Sequence, residues 1–463
     1  MTEQLKLKLN DSKATRWGAL VIVAFTMMAA YYVNDVVAPL KTMLETDLAW
    51  SSTDFGFFTG GYSFLNVFFL MLIWGGLILD RFGIRFTGKL ATILMVGGTA
   101  LEYYAMTGLA GADATLFGIN EIFGYKTGVF VAFAGYSIFG VGAEVAGITV
   151  SKIIAKWFKG KELATAMGVQ VALARIGSQA GYAVAIPLAR AFGISTPVLL
   201  GLVLLLGGMI AFFIFAVMDK KLDKQMEAAA IAAGTEDEEE KFSFKDVKNI
   251  LVNPGFWLIA LLCVLFYSCV FPFQKFASEL MIIKYGINEN VAGTFAGLPA
   301  LGALILTPVF GGFIDKRGKS ASIMLLGSAM LICVHFIYAI PDINYWLVAI
   351  VLMIILGIAF SLVPSAMWPA VAKIFPVSQL GTAYALIFFI QNIGLWGIPT
   401  LIGWVLDAYC ISGKKPDGTN MCDYTVPMCI FTSIACLSLI VALLLKKADK
   451  KYGYKLEEPN IQK

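Results

Sequence analysis

The chain has 463 residues, of which 59% are hydrophobic and only 14% charged, with a mean hydropathy of +0.79 and a net charge of +4. A water-soluble globular chain is about half apolar and about a quarter charged, so this composition excludes a soluble domain and points to a polytopic membrane protein. Transmembrane β-barrels are excluded too, because their strands alternate in polarity over about ten residues and do not run apolar for about twenty.

Residues 1 to 16 are polar and the first apolar run is too long for a signal-peptide core, so no cleaved leader is expected. Runs of about 20 apolar residues then begin near Trp17, Phe55, Phe86, Val129, Leu163, Thr196, Phe256, Val291, Ser320, Tyr345, Thr382 and Pro427. The reading is an all-α membrane protein with twelve spans. A charged stretch with the acidic run "TEDEEE" separates the sixth span from the seventh. It predicts an N-terminal six-helix bundle (1–218), a linker (219–250) and a C-terminal six-helix bundle (251–463). Residues 242–250 are amphipathic enough to lie along the membrane surface. The N-terminus, the even-numbered loops and the C-terminus hold most of the 35 basic residues, which places both termini in the cytoplasm by the positive-inside rule.

The two halves echo each other. "GLILDRFGIR" (76–85) recurs as "GGFIDKRGK" (311–319), with Gly76, Asp80, Arg81 and Gly83 spaced like Gly311, Asp315, Lys316 and Gly318. Arg85 closes the first copy. "KWFKGKELATAMG" (156–168) matches "KIFPVSQLGTAYA" (373–385). At the same offset Arg175 falls on Asn392, and Glu144 on Ser361. Transporters built from parallel repeats hold their substrate near the midplane between the halves.

Four ionisable residues are recognised inside apolar spans: Asp35, Glu102, Glu144 and Arg175, in the first, third, fourth and fifth. A charge at the bilayer centre costs about 2.5–3.5 kcal/mol on insertion scales, so such residues face a cavity or a partner. Arg175 lies about 20 Å and Glu144 about 12 Å from the ends of their spans. One reading of the two is a structural salt bridge. The other is a site for a zwitterion, with Arg175 gripping a carboxylate bidentately and Glu144 receiving an ammonium. Asp35, with Tyr31 and Tyr32 before it, serves either the substrate or a gate. Glu102 is either a proton site or a packing residue, and Glu144 and Asp35 are further proton candidates. The only histidine, His335, reads as structural. Cys410 and Cys422 bracket one loop as a candidate disulfide in an oxidising compartment. The chain shows no metal-ligand cluster, P-loop or nucleophile–His pair, so no enzymatic, cofactor-dependent or nucleic-acid role is expected.

The doubled G-x-x-x-D-[RK]-x-G loop resembles the signature of the major facilitator superfamily, whose members carry solutes by alternating access. In that family the loop Asp and its basic neighbours hold the cytoplasmic ends of adjacent helices together. "AAYYVNDVVAPL", "ARIGS", "MWPAVAKIFPVSQLGTAYALIFFIQNIGL" and "GWVLD" resemble, more closely, its lysosomal dipeptide transporter branch and prokaryotic relatives. The resemblance implies peptide contacts at Glu144 and Arg175, with Trp368, Gln391 and Asn392 lining the site. No acidic dileucine sorting signal is seen near the N-terminus, so a cell membrane is expected over a lysosomal one. The expected partners are a dipeptide or related zwitterion, the bilayer and, under coupling, protons, with the chain working as a monomer. The alternatives are a proton-coupled organic anion transporter and a transport-silent receptor of the same fold.

Overall fold

A computed structural model describes residues 8–111, 114–158, 161–233, 244–415 and 418–459. The acidic run at 235–240 lies outside the described residues.

The first half comprises α1 (Lys13–Val36), a short α2 (Lys41–Leu48), α3 (Ser52–Phe68), α4 (Met71–Thr107), α5 (Thr127–Trp157), α6 (Leu163–Phe192) and α7 (Thr196–Ala233). After α8 (Phe244–Val252) come α9 (Pro254–Tyr285), α10 (Glu289–Ala296), α11 (Leu298–Arg317), α12 (Ser320–Ala339), α13 (Trp346–Ile374), α14 (Val377–Tyr409) and α15 (Thr425–Tyr452). Two small antiparallel hairpins, β1–β2 (Glu121–Ile122, Tyr125–Lys126) and β3–β4 (Ile411–Lys414, Asn420–Cys422), cap loops on one face.

Among the described residues, nine helical segments are each long and apolar enough to cross a membrane. α3 and α4 meet at 58° and qualify together. Gly83, at φ +76° and ψ 175°, breaks α4 in two, so this stretch makes two crossings. α6, with 30 residues, is long enough for one more crossing. Gly83 and its counterpart Gly318 (φ +70°) both sit where a side chain would strain the backbone, so the repeated loop glycines mark two equivalent sharp turns.

α1 packs on α6 and α7, and α5 on α3 and α4. In the second half α9 packs on α14 and α15, and α12 on α13 and α15. The halves meet through α3 against α14 and through α6 against α10 and α11. α7 runs on to Ala233, so the beginning of the expected linker is helical. α8 turns Ile250 into the fold while Val252 stays exposed.

Contacts between the halves gather on the face opposite the two termini, here called the far face. A Cβ on Gly56 would stand 2.9 Å from the Gly403 Cα, so α3 and α14 touch backbone to backbone. The Asp407 carboxylate accepts from the backbone N–H groups of Ser52 and Thr53 at 3.2 and 2.6 Å, capping the start of α3 from the other half. Arg190 pairs with Glu289 across the same face. On the terminal face the pairs Arg16–Glu162, Lys152–Asp80 and Lys156–Asp219 each stay within one half.

Candidate functional site

The site grows from three helices of the first half. Helix rise puts Arg175 on α6 and Glu144 on α5 each about 26 Å from the far ends of their helices. They therefore share one level. α5 continues to Trp157, which sets Glu144 deeper than the sequence suggested. Both side chains are half-buried, as is Tyr31 on α1. Gly140 and Gly177 allow this crowding: a Cβ there would stand 2.0 Å from the Tyr62 carbonyl oxygen and 2.1 Å from that of Met28.

No salt bridge joins Arg175 to Glu144. Among the described residues, Arg175 instead lies over two rings, 5.5 Å from the centroid of Tyr31 and 4.9 Å from that of Phe360 on α13. Glu144 accepts one hydrogen bond, from the Tyr62 hydroxyl at 3.0 Å. Tyr31 lies within electrostatic reach of both charges. Among the described residues, a cation without an anion and an anion without a cation thus flank one tyrosine. The structural salt bridge that the sequence allowed is not formed.

The second half faces them with rings and amides. Phe360 meets Phe271 and Tyr267 at centroid distances of 5.3 and 6.2 Å. Trp368 donates to the Tyr267 hydroxyl at 3.3 Å and stacks on Phe388 at 4.8 Å, while Tyr384 donates to the Trp368 carbonyl at 3.0 Å. Gln391 is buried, its amide oxygen 3.5 Å from the Cys263 sulfur. Asn392 is buried as well: its amide donates to the Phe388 carbonyl, and its Oδ1 has no partner among the described residues.

Other expected residues fall elsewhere. Tyr32 does not line the site, because it is buried with its hydroxyl donating to the Pro197 carbonyl of α7 at 3.2 Å. Asp35 pairs across the halves with Lys275 of α9 at 3.1 Å. It therefore stands at the closure and is not free for substrate. Glu102 is fully buried, and neither carboxylate oxygen has a hydrogen-bond partner among the described residues. His335 is buried, 3.0 Å from the Cys269 carbonyl. Cys410 and Cys422 are free thiols. The β3–β4 register pairs Cys422 with Ile411, and Asp423 donates to the Cys410 carbonyl. Cys410 ends α14 and Cys422 ends β4, both buried.

In the loop motif, Asp80 receives Lys152 at 3.1 Å, and Arg85 reaches Asp219 and Asp223. Arg81 lies over Phe82, 5.5 Å from its centroid. A side chain at Gly76 or Gly311 would meet open space.

Sequence reasoning missed Tyr62 and Lys275. Tyr62 reads as one more aromatic in an apolar run, and Lys275 counts as a loop residue unless α9 is known to continue to Tyr285.

The sequence profile of the Major Facilitator Superfamily matches residues 20–399. The chain belongs to the major facilitator superfamily. Among its relatives within this superfamily, the human lysosomal dipeptide transporter MFSD1 is 29% identical over 409 residues, covering 85% of this chain and 81% of that protein. The chicken protein of the same name is 34% identical over 286 residues, 59% of this chain and 62% of that one. Among solved structures, a variant of the nucleoside transporter NupG superposes with a TM-score of 0.68 at 12% identity, covering 92% of this chain and 98% of that one. The D-xylose–proton symporter does so at 0.66 and 15%, covering 93% and 97%. These two show the fold. The chain is a multi-pass membrane transporter of small solutes.

Proposed function

We propose that this transporter carries dipeptides or closely related zwitterions by alternating access. The observation that carries the reading is the unpaired couple Arg175 and Glu144, set at one level beside Tyr31. Two bare opposite charges at membrane depth are expensive, and a ligand with both a carboxylate and an ammonium satisfies them together. Arg175 takes the carboxylate with its planar fork, and Glu144, oriented by Tyr62, takes the amine. Tyr31, Trp368, Gln391 and Asn392 supply rings and amides around the peptide. The names of the relatives support the same substrate class.

The distribution of Lys and Arg puts both termini in the cytoplasm. The far face is then the exterior, and the contacts gathered there between the halves close the outer side. Bundles 1–218 and 251–463 rock about the site, joined by 219–250. The loop residues Asp80, Arg81, Arg85, Asp315 and Lys316 tie cytoplasmic helix ends in the opposite state. The chain acts as a monomer in the cell membrane.

A second reading keeps Arg175 for an organic anion and assigns a coupling proton to an acid. Glu102, buried with both oxygens unpartnered, is the observation that favours it. Counterflow in proteoliposomes separates the two. Exchange of labelled dipeptide, undiminished by competing organic anions and unchanged when the pH gradient is collapsed, is expected. Exchange of organic anions alone, driven by the gradient, would overturn the dipeptide reading.

A further inference from the structure

Two clusters of charged side chains stand where the halves meet on the far face, and neither belongs to the solute site. The inner one centres on Lys275. Its ammonium contacts the Asn34 carbonyl at 2.5 Å, the Asp35 carboxylate at 3.1 Å and the Tyr136 hydroxyl at 3.4 Å. All three acceptors belong to the first half. Lys275 lies about 15 Å inside the far end of α9, at a depth where an unpaired ammonium is costly.

The outer cluster is a ring of four. The first half gives Lys41 and Glu45, and the second gives Glu279 and Lys415, the latter beside the β3–β4 hairpin. Lys41 meets Glu279 at 2.6 Å, and Lys415 meets Glu45 at 3.4 Å, both across the halves. Within the halves, Lys41 also pairs with Glu45, and Lys415 with Glu279 at 3.5 Å. Tyr424 donates to Glu279, and Lys41 to the Ser52 hydroxyl.

The clusters respond differently to separation of the halves. When the ring divides, each half keeps one acid and one base already in contact, so neither side is left with an unpaired charge. When the inner cluster divides, Lys275 loses the Asp35 carboxylate it pairs with, the buried Glu102 carboxylate within its electrostatic reach, and all three described hydrogen-bond acceptors together, while Asp35 keeps, among the described residues, the Asn34 amide. We propose that Asp35–Lys275 is the latch that holds the outer side shut, and that the Lys41–Glu45–Glu279–Lys415 ring is a hand-over contact that exchanges partners with little effect on the balance between states.

The test reads distance, so it stands apart from substrate identity. Spin labels on Asp47→Cys and Asp342→Cys, exposed on opposite halves of the far face, report its opening in a background without native cysteines. Lys275→Ala leaves Asp35 buried without its cation in the closed state alone, because water reaches it in the open one. The open-to-closed ratio should rise about tenfold or more. The neutral pair Asp35→Asn with Lys275→Gln should return it toward the parent value, as should the exchanged pair Asp35→Lys with Lys275→Asp. Removing the second half's pair together, Lys415→Ala with Glu279→Gln, leaves Lys41 and Glu45 paired in both states and should change the ratio less than about threefold. An unchanged distribution in Lys275→Ala, a neutral double variant as open as the single one, or a larger shift from Lys415→Ala with Glu279→Gln would each overturn the assignment.

Discussion

Replacing Arg175 by lysine keeps the positive charge and removes the planar fork, which isolates what the guanidinium does. Among the described residues no carboxylate pairs with it, and the rings of Tyr31 and Phe360 hold it at 5.5 and 4.9 Å. Ring contacts of this kind contribute about 0.5–2 kcal/mol, and an ammonium retains part of them. The main loss is one of two parallel charge-assisted hydrogen bonds to the solute carboxylate, about 1.5–3 kcal/mol. This corresponds to a loss of affinity of about tenfold to a hundredfold. The assay is competition in counterflow between a dipeptide and its C-terminal amide, on parent protein and on Arg175→Lys. The free acid should weaken by that factor, whereas the amide, which never used the fork, should weaken by less than about threefold. Equal losses for acid and amide would show that Arg175 shapes the cavity and does not bind the carboxylate, and the argument would fail.

Three further outcomes follow from other contacts. Glu144→Gln should weaken peptides with a free amine by about tenfold or more while leaving N-acetylated peptides unaffected, and Tyr62→Phe should act in the same direction more weakly, both read by the same competition. Gly403→Ala places a methyl 2.3 Å from the Ser52 carbonyl oxygen and 2.9 Å from the Gly56 Cα. It should cost about 1–3 kcal/mol of the packed far face, seen as a lowered unfolding midpoint. Burial pushes the thiols of Cys410 and Cys422, outside the spans, up to about 11. Maleimide should therefore modify them slowly at neutral pH in the folded protein and faster as pH rises toward that value, since the thiolate is the nucleophile. Unfolding without reductant should expose both to rapid modification, and failure of that step would reveal a disulfide.

How far the sequence was legible differs residue by residue, for physical reasons. Arg175 stood out because a lone charge in an apolar run has few explanations. The turns at Gly83 and Gly318 were legible because their spacing repeats. Lys275 was not, since its distance from the helix end depends on how far α9 continues past "FPFQKFASEL", and a lysine near a span boundary reads as a loop charge. Tyr62 was hidden for a different reason. Its hydroxyl reaches Glu144 only because Gly140 lets α3 approach α5, and a contact set by tertiary packing leaves no period in either segment. The helical continuation of α7 is hidden by polarity: "KKLDKQMEAAAIAA" reads as linker for its charge, although Ala, Lys, Glu and Met favour helix.

The contrast between the two kinds of intramembrane charge bears on how transport would work. At the far face every charge of the two clusters has an opposite partner, and those contacts hold one state together. At the centre, Arg175 and Glu144 share a level and a neighbour yet remain apart. Had they closed on each other, a zwitterion would first have to break a buried pair, and removing a partner from such a pair costs about 3–5 kcal/mol. Held apart by the Tyr62 hydroxyl on one side and the Tyr31 and Phe360 rings on the other, both stay ready for a ligand. Phe360 belongs to the second half, so the same guanidinium that would grip the solute already touches both halves. Binding at Arg175 is thus placed where it can bear directly on how the halves meet.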